Sequence, residues 1–280
     1  MPEVQKVKAT LYKISHLPLM RIMIGTLVCG IAMIATNALL KMMLGIEGDF
    51  PRIIRWILST TVLVSTYYYF FRYFEGREVA ELKRQYFLRE TVTGLFVGIG
   101  LVGLIVLILY IFGFYAVKSM GEFSVLPLLF LFFVTAAALE EVIFRGIIYR
   151  IIEDTWGTKS ALIVSALLFG SAHLFNDGVD IFSVISVASG GLFLGLLYSL
   201  KGRLWLPIAF HAGWNWTLGS LGTVVSGNED LPTFLEVTLT GPEFMTGGAF
   251  GLENSIITIV LILLSSGIVT TMLIKKRQTF

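Results

Sequence analysis

Three short polar patterns stand inside otherwise apolar sequence. The first closes a run of 17 apolar and small residues, FSVLPLLFLFFVTAAAL, with Glu140, Glu141 and, four residues on, Arg145. The second is Phe169-x-x-x-His173 and the third His211-x-x-x-Asn215. A charged residue at the centre of a bilayer costs roughly 2.5–3.5 kcal/mol on insertion scales, so such residues face a protein interior or a watery cavity. Glu141 and Arg145, four apart, share a helical face and can neutralise each other for structural reasons alone. Glu140 points about 100° away around the helix and has no local cation. A carboxylate without a counter-charge in a low-dielectric cavity is suited to taking and passing a proton. His211 and Asn215, also four apart, can present two donors to a developing oxyanion. The bland alternative for that pair is an interhelical polar clamp, and for His173 a hydrogen-bonded core histidine. Of the three histidines, only His16 lies in a polar segment.

The elements that must position these groups are membrane helices. The 280 residues are 56% hydrophobic and 14% charged, against roughly 25% charged in soluble domains. Apolar stretches close to the ~20 residues that cross a bilayer fall at 22–44, 53–71, 92–117, 123–148, 160–176, 181–200, 204–221 and 254–274. The first is longer than a signal-peptide core and lacks a small-residue cleavage site, so it counts as a mature span. With both termini cytoplasmic, all but four of the 21 basic residues (Lys41, Arg52, Arg55 and Lys118) fall on the inner side, as the positive-inside rule requires. The expected fold is therefore all-α, a multi-pass integral membrane protein of about eight transmembrane helices around a polar cavity. Its expected parts are 1–121, with a cytoplasmic amphipathic helix at 72–90; a catalytic core at 122–221; and 222–280, an external and re-entrant loop followed by the last span.

At about 1.5 Å per residue, Glu140 lies ~15 Å from Arg150, His211 ~12 Å from Arg203 and His173 ~21 Å from Lys159. These depths place the cluster at the midplane or in the cytoplasmic half, with His173 fitting worst. The net charge of +2 is split into short clusters between spans, which excludes nucleic acid as a partner and leaves the lipid bilayer. A single cysteine, Cys29, excludes an intramolecular disulfide. No histidine is followed by Glu, so a metalloprotease H-E-x-x-H is absent. The nearest match to a serine-protease G-x-S-G turn, VASGG at 187–191, has Val187 in place of the first glycine. A G-x-G-D aspartate and a phosphate-binding loop are also missing.

The patterns E-E-x-x-x-R, F-x-x-x-H and H-x-x-x-N, in this order on apolar segments, resemble the CPBP family of intramembrane proteases, which includes the type II CAAX prenyl endopeptidases and the bacterial Abi-like proteins. The stretch TGGAFGLE, Thr246–Glu253, resembles a segment of bacterial members. The resemblance implies an endopeptidase in which Glu140 acts as general base on a water with help from His173, while His211 and Asn215 hold the oxyanion. It implies supporting roles for Arg145, which would fix Glu141, and for Phe169, which would pack the water-binding side. The implied substrate is a membrane-associated peptide or protein, prenylated or of bacteriocin-precursor type. No cofactor is expected; zinc held by Glu140, His173 and His211 is the alternative. Two rivals from other classes are a non-catalytic scaffold or immunity factor and a proton-coupled transporter.

Overall fold

A computed structural model describes residues 15–45, 48–228 and 230–278. Helix α1 spans Pro18–Leu44, α2 Asp49–Phe74 and α3 Phe87–Ile111. Strand β1, Tyr115–Met120, leads into α4, Val125–Glu141, which continues as a π-helical segment, Val142–Tyr149, and then as α5, Arg150–Ala172. Gly157 interrupts α5 at φ 81°, ψ 168°. A second rod therefore runs from there to Ala172, and each expected apolar segment has a helical rod of its own. Helices α6, Ile181–Lys201, and α7, Trp205–Ser220, complete the core. Strand β2, Leu235–Leu239, the single turn α8, Glu243–Thr246, and α9, Ile256–Gln278, follow. The protein is an all-α, multi-pass membrane protein. Among the described residues, five helical stretches are long and apolar enough to cross a membrane alone: those containing α1, α3, α4 with α5, α6 and α9. Helix α7 has only 16 residues, about 24 Å, and nearly all of them are buried. It is the axis of the bundle rather than a lipid-facing wall.

Glycines set how deeply that axis sinks. On α3, Gly94 and Gly98 face α7 so closely that a Cβ would lie 2.6 Å from the Leu206 carbonyl oxygen and 2.4 Å from that of Phe210. From the other side, a Cβ on Gly213 would meet the Leu95 carbonyl oxygen at 2.9 Å. This is the small-xxx-small packing that lets membrane helices touch backbone to backbone. Gly98→Ala is expected to lower stability by about 1–3 kcal/mol through overpacking. Gly100→Ala, which meets nothing within 4 Å, should leave it unchanged. Thermal unfolding midpoints in detergent compare the two, and equal midpoints would refute the close approach.

Three expectations are corrected. Residues 72–90 do not form an amphipathic helix; two short 3₁₀ turns, Ala80–Leu82 and Arg84–Tyr86, precede α3. Of the acidic residues there, Glu78 is exposed, while Glu75 and Glu81 turn inward. Glu81 is buried and accepts from Arg77 Nη1 at 3.0 Å and from the Tyr67 hydroxyl. Glu75 accepts from Arg21 Nε at 2.8 Å and Arg150 Nη2 at 3.1 Å. Burial alone would push the Glu75 carboxyl up, but Arg21 and Arg150 outweigh it and hold it below its ordinary range. The network also reaches the π segment, because Arg150 Nε donates to the Gly146 carbonyl at 3.0 Å and the Tyr67 hydroxyl lies 2.9 Å from the same oxygen.

The third span, expected to reach residue 117, stops at Ile111. Gly113 at φ 74° turns the chain out of the helix, and β1 pairs antiparallel with β2. The segment 222–253, expected as a loop, is thus partly built: Phe250 and Leu252 are fully buried, and β2 is tied to the end of α3 through β1.

Candidate active site

The three patterns meet around His211. Its Nδ1 lies 2.9 Å from Glu141 Oε1, and its Nε2 lies 3.8 Å from Glu140 Oε2. An ionised carboxylate can only accept, so Nδ1 carries the proton donated to Glu141. Nε2 then faces Glu140, either as a base or, when the ring holds both protons, as a second donor. Glu141 does more than neutralise Arg145. It is fully buried and accepts at the same oxygen from Arg145 Nη1, at 2.9 Å. Arg145, also fully buried, donates from Nη2 to the Gly191 carbonyl at 2.7 Å and lies 4.5 Å over the Phe169 ring. Phe169 therefore packs on the cation and, at 6.0 Å between ring centres, beside His211. The π segment carries Arg145, and π turns recur at functional sites.

Glu140 has its side chain 30% exposed, and its Oε2 makes no hydrogen bond. Glu140 is the carboxylate without a tight partner, but it is not turned away from Glu141's environment, because both approach opposite nitrogens of one imidazole.

His173 caps α5 and places Nδ1 2.9 Å from the Phe169 carbonyl oxygen. A carbonyl only accepts, so Nδ1 holds the proton and Nε2 is left as an acceptor. His173, His211 and Asn215 all line one cavity of about 50 Å3. A space of that size admits water and is too small for a peptide.

Two residues that sequence reasoning missed complete the lining, Ser226 and Glu253. Glu253 accepts from Trp214 Nε1 at 3.2 Å, from Ser226 N at 2.6 Å and from Ser226 Oγ at 2.7 Å. Ser226, at φ 51°, is the one non-glycine residue with positive φ among the described residues; that strained conformation aims both donors at Glu253. The available signal was the Gly-rich stretch ending in Glu253. Gly251, at φ 101°, is required there, since a Cβ would lie 2.2 Å from the Val224 carbonyl oxygen.

Ser226 and Glu253 come from the connection between α7 and α9, and His173 from the end of α5 far from Lys159. The cavity thus runs from the middle of the bundle towards the loop-bearing end, away from the basic network around Arg150. Helix periodicity gives distance along each rod, but not which connection folds over the rod's end.

Among the described residues, no group of three or more His, Cys, Asp or Glu side chains is disposed to share a metal ion.

Residues 122–217 match the model of the family described as type II CAAX prenyl endopeptidase Rce1-like. The chain is 28% identical over 112 residues to YdiL of Bacillus subtilis (strain 168), a protein provisionally named as a membrane peptidase. That alignment covers 40% of this chain and 42% of the relative, so it spans less than half of either. No solved structure matches. The matched residues contain the whole polar cluster from Glu140 to Asn215, and over this stretch the chain is similar to the Rce1-like type II CAAX prenyl endopeptidases.

Proposed function

We propose that the protein is an intramembrane endopeptidase hydrolysing a peptide bond of a membrane-associated substrate. The observation that carries this reading is the approach of Glu140 and Glu141 to the two nitrogens of His211, beside a water-sized cavity lined by His173 and Asn215. Glu140 takes a proton from a water that the free Nε2 of His173 holds. The resulting hydroxide oxygen bonds to the scissile carbonyl carbon. The carbonyl electron pair moves onto oxygen, where Asn215 Nδ2 and the doubly protonated His211 donate to it. On collapse, the C–N bond breaks and the proton on Glu140 passes to the leaving amine. Glu141 orients His211 throughout, and Arg145 holds Glu141.

Since the cavity has room for water but not for a peptide, substrate entry requires the Ser226–Glu253 contact or a neighbouring helix to part. With both termini cytoplasmic, as the basic residues suggest, the cavity lies in the outer half of the membrane. The substrate belongs to the class of lipid-anchored or membrane-inserted peptides, of prenylated or bacteriocin-precursor type.

The metal-free mechanism has its own test. Protein purified in detergent is expected to cleave a membrane peptide equally well before and after chelator treatment, with metal far below one equivalent by elemental analysis. Stoichiometric zinc together with chelator-sensitive cleavage would overturn it.

A further inference from the structure

The glycine-packed contact of α3 with α7 leaves a groove on its lipid side. Because α7 sinks against Gly94 and Gly98, it becomes the floor, while α3, α6 and α9 stand as walls. The groove encloses about 470 Å3. Its length is apolar, with Val97 and Leu101 from α3, Leu197 from α6 and Val269 from α9, and Phe210 closing its depth.

The charged residues all lie at one end. Arg203 there is already neutralised, donating from Nε to Glu90 at 2.8 Å and stacking 3.7 Å over the Tyr86 ring. Lys276, nearby, is engaged with the Leu200 carbonyl at 3.1 Å. Arg89 and Lys201, both exposed, line the same mouth and have no acidic partner among the described residues. From Arg89 to Leu101 is twelve residues, about 18 Å of helix, against about 15 Å for half of a ~30 Å hydrocarbon core. The groove has the depth of one leaflet, with two unpaired cations at its polar edge.

We propose that this groove is a binding site for a phospholipid with an anionic head group, its phosphate between Arg89 and Lys201 and one acyl chain along α3 down to Phe210. Basic pockets between membrane helices on the cytoplasmic side recognise acidic head groups, and the basic network places this end of the bundle there. Phe210 immediately precedes His211 and also lines the catalytic cavity. The lipid's chain would therefore pack against the residue that separates the two spaces. The site stands on geometry and charge alone and does not depend on the proposed hydrolysis.

The test uses full-length protein in detergent, with phosphatidylglycerol and phosphatidylcholine titrated separately and bound lipid counted by native mass spectrometry. Phosphatidylglycerol should bind roughly 30-fold more tightly, the effect of two cations at about 1 kcal/mol each. The double variant Arg89→Gln/Lys201→Gln should abolish that preference, and Val97→Trp, which fills the groove, should displace both lipids. Inorganic phosphate should compete with neither. Equal affinity for the two lipids, a preference that survives the double variant, lipid retained in Val97→Trp, or competition by free phosphate would each overturn the proposal. Glutamine on two exposed positions leaves the fold intact, so a negative result there cannot be ascribed to unfolding.

Discussion

Replacing Glu140 with Gln should lower turnover of a membrane peptide by about 10²–10⁴-fold, the contribution of a positioned general base, while leaving the unfolding midpoint near that of the wild type. The structure separates the two effects. The Glu140 side chain is partly exposed, its Oε2 makes no hydrogen bond, and it lies 3.8 Å from His211 Nε2. Gln has the same shape and leaves no buried cation without a counter-charge, so the fold loses little. The carboxylate's ability to take a proton from water is lost completely. Turnover and thermal unfolding measured on the same preparation decide the matter. A folded Glu140→Gln protein with wild-type turnover would remove Glu140 from the chemistry. If wild type and variant were equally inert towards every membrane peptide offered, the scaffold reading would gain.

Glu141→Gln should behave in the opposite way, with the damage falling first on stability. Glu141 and Arg145 are both fully buried, and the same carboxylate oxygen also meets His211. Removing one partner of a buried pair strands the other charge, which typically costs about 3–5 kcal/mol. Arg145 cannot escape to solvent, because it is held by the Gly191 carbonyl and the Phe169 ring. Replacing both, as Glu141→Gln/Arg145→Met, should recover much of the loss, since burying apolar groups in place of an ion pair is often neutral or better. Midpoints of the single and double variants form the cycle. A single variant as stable as the wild type, or a double variant no better than the single, would contradict a stranded charge. Activity should remain low in the double variant, because the acceptor that orients His211 has lost the negative charge that favours its doubly protonated form.

On these expectations the two neighbouring glutamates divide the work, one replaced mainly at the cost of rate and the other mainly at the cost of fold. Their division could be anticipated only in part. Adjacent residues on a helix point about 100° apart, and the local pairing of Glu141 with Arg145 follows from a spacing of four. That spacing does not show that α7 presents His211 between the two carboxylates, 70 residues further along the chain.

The amino-acid sequence by itself determined the membrane class, the order and approximate ends of the helices, and the small set of polar residues worth examining. Each of these rests on local physics. A bilayer demands ~20 apolar residues per span, and it penalises any charge that lacks a purpose at depth. Only the tertiary structure decided the rest. The rotation of each helix and the sinking of α7 onto Gly94 and Gly98 depend on backbone contact between distant segments. The inward turn of Glu75 and Glu81 depends on Arg21, Arg77 and Arg150, which sequence spacing does not link to them as a group. The arrival of Glu253 at the histidine cavity depends on a loop folding back and on a strained Ser226. Periodicity reports which residues share a face of one helix. Which faces meet, and which loop closes over them, is set by packing between elements far apart in the chain.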